Sequence, residues 1–294
     1  MQIALAPIDC REFLSASEFV AEYAQPRRPV VIQGMMRGWN ALLNWTPDSI
    51  AAKSPELNIP VKEFCEGEIK RTTWRLKDYA EFLNRCNPET EPAKALPYCH
   101  DIPLFHAIPG LSRDVSPFPV QYLPKYYQPR WWMYAQFFLG PKFSVTPLHF
   151  DCLLTNNLFF QIYGRKRFIL FAPTDQAYCY RQGWRWFQVD PENPDYTKFP
   201  LFAKATPLEV VISPGEILYI PPGMLHHVRS LDTSISFNVD WHSRATAFEG
   251  VCGLFQGMPL ANVHYNFWIL LGLSLGMPHD LVFRFYKRYL NYVS

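Results

Sequence analysis

The chain has 294 residues, 49% of them hydrophobic and 16% aromatic, which is enough for one large domain with a substantial core. Its 28 basic and 26 acidic side chains leave a net charge of +2, with no basic run dense enough to track a phosphate backbone. The seven cysteines hold no C-x-x-C pair, the first residues do not read as a leader, and the most apolar run, 267–277, is shorter than the ~20 residues that cross a bilayer. A reducing, cytoplasmic setting away from membranes is the expectation.

Residues 11–25 carry Phe13, Leu14, Phe19, Val20 and Tyr23 at spacings that predict a short amphipathic helix. Residues 28–34 predict a strand closed by Gly34, and Thr46 before Pro47 predicts an N-cap and a first helical residue. A strand is expected over 69–76 and a helix over 77–86. This first third, 1–97, reads as a mixed α/β elaboration packed on a larger sheet, with no internal repeat and no flexible linker.

Further on the period shortens to two. Strands are predicted over 132–139, 158–163, 167–171, 209–212, 217–220, 227–230 and 234–239, and the connections 213–216 and 231–233 have hairpin length. Short strands in this number suit a mainly β (α+β) jelly roll spanning about 98–243. The polar insert 182–199 is expected to lie as a loop over its mouth. From 244 to 294 the pattern is helical, with Phe283, Tyr286, Tyr289 and Leu290 beside Arg284, Lys287 and Arg288. So apolar an appendix either packs on the barrel or makes a homodimer.

His149 and Asp151 stand two apart, so on a strand both leave one face, about 7 Å apart at Cα. His226, behind a proline-glycine turn, can return to them from elsewhere in the sheet system. Two imidazoles and one carboxylate on one side of a metal is the arrangement of non-haem Fe(II) oxygenases. His226 and His227 leave opposite faces of a strand, so only one of them can reach that metal. His100, His106, His242, His264 and His279 have no partner at ligand spacing and read as structural.

The blocks TPLHFD (146–151), NNLFFQIYGRKRFILFAP (156–173), FQVDPENPDYTKFP (187–200), SPGEILYIPPGMLHHVRSL (213–231) and SISFNVDWH (234–242) stand in one order. Together they resemble the JmjC-type, cupin-like Fe(II)/2-oxoglutarate hydroxylases, and most of all the branch containing the asparaginyl hydroxylase of hypoxia-inducible factor. The resemblance implies a double-stranded β-helix and a cofactor set of Fe(II), 2-oxoglutarate and O2. It implies His149, Asp151 and His226 as metal ligands, the last because the family pattern runs Ile-Pro, four further residues, then the histidine. It also implies Lys166 for the far carboxylate of 2-oxoglutarate, Thr146 and Tyr98 as further donors, and Asn157 and Asn238 lining the pocket. The implied reaction hydroxylates an amino-acid side chain of a protein, with release of succinate and CO2. A modified tRNA base or a small metabolite is the alternative substrate, and in relatives a C-terminal helical element makes a homodimer. One departure stands out: Met224-Leu225 replaces an aromatic pair that helps wall the pocket. A non-catalytic cupin that only binds a partner is the reading from another class, and the retention of the triad with Lys166 and Thr146 argues against it.

Overall fold

A computed structural model describes residues 6–65, 68–86 and 96–287. In chain order its strands are β1 (Ala6–Pro7), β2 (Asp9–Glu12), β3 (Val30–Gln33), β4 (Asn58–Cys65), β5 (Glu68–Arg75), β6 (Cys99–Ile102), β7 (Ala135–Gly140) and β8 (Val145–His149). They continue as β9 (Asn156–Tyr163), β10 (Lys166–Phe171), β11 (Arg181–Gln182), β12 (Trp186–Phe187), β13 (Leu208–Ile212), β14 (Ile217–Ile220), β15 (Leu225–Ser230) and β16 (Ser234–Trp241). One sheet has the order β1-β13-β10-β15-β8-β12-β11 and faces a second, β2-β3-β14-β9-β16-β7-β6. This is the jelly roll with helical elaboration that the strand pattern predicts.

The connections 213–216 and 231–233, expected as hairpins, are corners. β13 lies in the first sheet and β14 in the second, and β15 and β16 divide the same way. Each short turn therefore carries the chain across the sandwich, as a double-stranded helix requires. Gly164, at another corner, has φ +68°, and a Cβ there would come within 2.2 Å of the Thr233 carbonyl oxygen. Only glycine lets the two corners stack.

The second sheet is buried on both faces. Toward the helices, Leu158, Phe160, Phe237 and Phe137 join Trp39, Phe105 and Trp131 in the largest apolar cluster. Toward the first sheet, Phe159 and Ile220 meet Phe168, Leu170 and Val228. Strand β9 therefore shows almost no exposed position, and period-two alternation fails there because both faces are covered.

Helix starts behave as predicted: Thr46 caps Pro47–Lys53, exchanging hydrogen bonds with Ser49. The expected 11–25 helix is Ala16–Phe19, capped by Ser15, and runs on as a wider turn over Val20–Ala24. Phe13 stays outside it, exposed and at φ 50°. Strand 69–76 ends at Arg75 because Leu76 opens the helix Leu76–Arg85 and buries its side chain. Residues 132–134 are not strand but part of the 3₁₀ run Gln128–Tyr134, where Trp131 stacks on Phe118 at 3.7 Å. That packing overrides the strand preference of an aromatic run. Of the predicted C-terminal helical positions, Phe283 and Tyr286 lie in the helix His279–Tyr286, whereas Arg288, Tyr289 and Leu290 lie outside the described residues. No helix among the described residues is long and apolar enough to cross a membrane.

Candidate active site

His149 and His226 are Cα partners on the adjacent strands β8 and β15. Their register slips between His226 and Val228, whose partner is Thr146. Thr146 and His149 are three apart and would leave opposite faces of a regular strand; the bulge turns both into the barrel. The strand ends at His149, so Asp151 lies in the turn beyond it and not on the expected extended strand, its carbonyl accepting from the Leu154 amide at 2.9 Å. The three side chains still converge, with ligand atoms within 4.8 Å of one another. His226 Nε2 lies 3.6 Å from Asp151 Oδ1.

Each ligand is held from behind. A carbonyl can only accept, so His149 Nδ1 donates to the Pro147 oxygen (2.7 Å) and His226 Nδ1 to the Met224 oxygen (3.1 Å). Each imidazole therefore turns Nε2, rather than Nδ1, away from the backbone. Burial, followed by His226 and Arg185, pushes His149 well below its usual range and keeps it neutral. Asn157 donates to Asp151 Oδ2 at 3.0 Å, leaving Oδ1 toward His226. The donor set fits a divalent transition metal.

Lys166 lies at the floor, 1% exposed. Its Nζ donates to the hydroxyls of Tyr98 (2.8 Å) and Ser236 (3.0 Å) and sits 5.3 Å from the ring centres of Tyr98, Phe138 and Phe159. Among the described residues no carboxylate pairs with it, and burial lowers it to about 7. A desolvated ammonium that keeps donors free for an anion fits the far carboxylate of a dicarboxylate. Tyr98 reaches it only because residue 140 is glycine: a Cβ there would come within 2.4 Å of the tyrosine ring.

The cavity, about 760 Å³ with its open mouth, brings all eight predicted residues together: Tyr98, Thr146, His149, Asp151, Asn157, Lys166, His226 and Asn238. It also holds residues the sequence reading passed over, namely His100, Asp101, Gln136, Arg185 and Asp240. His100 is two after Tyr98 and Asp240 two after Asn238, so strand parity would have found both. Asp240 accepts from Asn238 at 3.1 Å, and burial, with Asp151 and Asp101 nearby, raises it well above the carboxylate range.

The insert is more than a loop. Strands β11 and β12 form a hairpin that extends the first sheet, pairing Trp186 with His149. Trp186 packs on the His149 ring at 5.1 Å, and Arg185 stacks on Trp186 while lining the cavity. The far end of the insert is fastened outside the barrel. Glu192 is gripped by Arg167 (3.0 Å), Arg229 and His227 (3.2 Å), which accounts for His227 facing away from the triad. The turn after Asp151 is tied to distant chain: the Cys152 carbonyl accepts from Trp184 (2.9 Å) and Asn262 (3.3 Å), and the Leu153 carbonyl from Asn266 (3.3 Å).

A jelly roll with an inward His-Asp-His set defines a class, and residues 15–247 match the family described as a cupin-like domain. The chain belongs to that family. It is 30% identical over 231 residues to lysine-specific demethylase 8 of Xenopus tropicalis, covering 77% of this chain and 51% of the relative. It is 27% identical over 240 residues to tRNA wybutosine-synthesizing protein 5 of Gallus gallus, covering 78% and 74%. Lysine-specific demethylase JMJ30 of Arabidopsis thaliana is 29% identical over 248 residues, covering 81% and 55%. The chain thus spans about half the length of the demethylases it matches.

Proposed function

We propose that this protein is an Fe(II)- and 2-oxoglutarate-dependent dioxygenase that hydroxylates an amino-acid side chain of a protein. The observation that carries the reading is one cavity holding two histidines whose Nδ1 atoms are tied to the backbone, a carboxylate beside their Nε2 atoms, and a buried lysine with no anion of its own among the described residues. Bound there, the metal and co-substrate supply oxidative decarboxylation of 2-oxoglutarate to succinate and CO2 with transfer of one oxygen atom to a C–H bond. The chain supplies the rest. Pro147 and Met224 set the imidazole tautomers, Asn157 aims the Asp151 carboxylate, and Lys166 with Tyr98 and Thr146 orients the dicarboxylate. The aromatic walls Phe138, Phe159 and Phe168 keep water away.

Succinate formed by the Fe(II)-loaded protein on admission of O2, and absent in His149→Ala and Lys166→Ala, tests this. Failure of the wild type to bind Fe(II) and 2-oxoglutarate would leave a binding module instead. A second substrate reading, a tRNA base, rests on length: the wybutosine-synthesizing relative is matched over 74% of its extent. Conversion of tRNA in place of protein would select it. The C-terminal helices expose Phe248, Phe255, Leu260 and Leu275, and we assign them to a homodimer contact; a monomeric mass in solution removes that assignment.

A further inference from the structure

One wall of the cavity carries His100, Asp101 and Arg185, and Lys62 on the neighbouring strand β4 pairs with Asp101 from outside the cavity lining. The His100 ring is 3% exposed and stacks on Phe64 (5.4 Å) and Phe138 (6.3 Å), so it cannot turn freely. Its Nδ1 lies 2.8 Å from the Asp101 carboxylate, and Lys62 Nζ lies 3.2 Å from the same group. Burial alone would raise the Asp101 acid, but His100 and Lys62 outweigh it and hold it far below the carboxylate range. An ionised Asp101 accepts, so the Nδ1 carries the proton; burial of His100 is the larger influence on its ring and keeps it neutral. His100 Nε2 is then a bare lone pair, and it has no partner among the described residues.

The backbone at Asp101 underlines the arrangement. Asp101 has φ 60°, and the β6–β7 register slips between His100 and Ile102. A β-bulge with a left-handed aspartate aims its carboxylate back along the strand at the histidine. A second acceptor, Asn157 Oδ1, also lines the cavity without a partner, its amide nitrogen being committed to Asp151. The dianion 2-oxoglutarate carries no N–H or O–H donor, so it cannot satisfy either atom. An N–H or O–H group of a substrate or of water can.

We propose that His100 Nε2 is the acceptor that positions the substrate, taking an uncharged N–H donor of a peptide. The donor is uncharged because Lys62 and Arg185 flank the wall against the single charge of Asp101, and both cations disfavour another positive charge beside His100. The inference deepens the protein-hydroxylase reading and rests on it.

The test uses the full chain, ¹⁵N-labelled at histidine and loaded with Zn(II) and 2-oxoglutarate, with His100→Gln identifying the resonance. Nε2 of His100 is expected to resonate as a proton-free nitrogen at neutral pH and to shift saturably with N-methylacetamide but not with methylammonium or methylguanidinium. His100→Leu should weaken amide binding about tenfold, with His100→Gln, which keeps an acceptor, close to wild type. A protonated Nε2, equal shifts by the cations, or a shift by uridine without one by the amide would each overturn the proposal. Substrate-free succinate formation by the wild-type Fe(II) form is measured alongside. If no succinate forms, the oxygenase reading fails whatever His100 does; if succinate forms and the amide leaves His100 unmoved, only the present inference fails.

Discussion

Lys62, on the two-stranded sheet β4-β5 beside the barrel, and Lys166, inside the barrel, are 3% and 1% exposed, yet they solve the same problem in opposite ways. Lys62 meets Asp101 at 3.2 Å, and the pair closes on itself. Among the described residues Lys166 meets two hydroxyls and three aromatic faces and no carboxylate. A buried ion pair is costly to break, whereas an unpaired buried cation is costly to keep. The side wall is thus finished by the fold, while the floor is finished by what binds there.

That contrast can be broken at either lysine. Lys62→Met leaves Asp101 buried without its cation and should cost about 3–5 kcal/mol, read from the denaturation midpoint. Lys166→Met should leave stability unchanged or improved, because an apolar chain replaces a desolvated charge, and weaken 2-oxoglutarate binding about 100-fold by calorimetry. Equal destabilisation by both would erase the distinction. The pH dependence sharpens it. The unfolded lysine keeps its proton to about 10.4, the folded one to about 7. Between those values the unfolded chain binds the extra proton, so wild-type stability should rise with pH across that window. In Lys166→Met the slope should flatten.

Asn157→Ala touches neither lysine, and should lower metal affinity by about 10–100-fold at little cost in stability. The smallest effect is expected outside the barrel. Glu192→Gln loosens the grip of Arg167, Arg229 and His227 on the insert, and should cost about 1–2 kcal/mol in thermal unfolding. Triad metal binding should be nearly unchanged.

How much of this was legible follows from which forces act locally. The N-cap at Thr46 and the strand 217–220 were readable because short-range sterics and apolar runs decide them. Seven of the eight expected cavity residues stand in the family blocks, in order, and Tyr98 precedes them. The corners read as hairpins because a turn of three or four residues looks the same whether it returns within a sheet or crosses to another. Nothing local places Trp186 and Arg185 at the site, since the pairing of Trp186 with His149 joins segments far apart in sequence. His100 was dismissed as structural although it shares a strand face with Tyr98; parity held the answer, but a metal-ligand search does not look for an acceptor.

The hydrogen bonds from Asn262 and Asn266 to the turn after Asp151 carry a thermodynamic consequence. Both asparagines belong to the helix Leu260–Leu275, so the segment bearing the exposed apolar side chains also steadies the carboxylate of the triad. Linkage is reciprocal: whatever that helix contributes to metal affinity, a bound metal returns to the helix. Metal occupancy should therefore slow amide exchange along Leu260–Leu275 as well as in the barrel, and the self-association proposed for that helix should depend on the metal content of the solution.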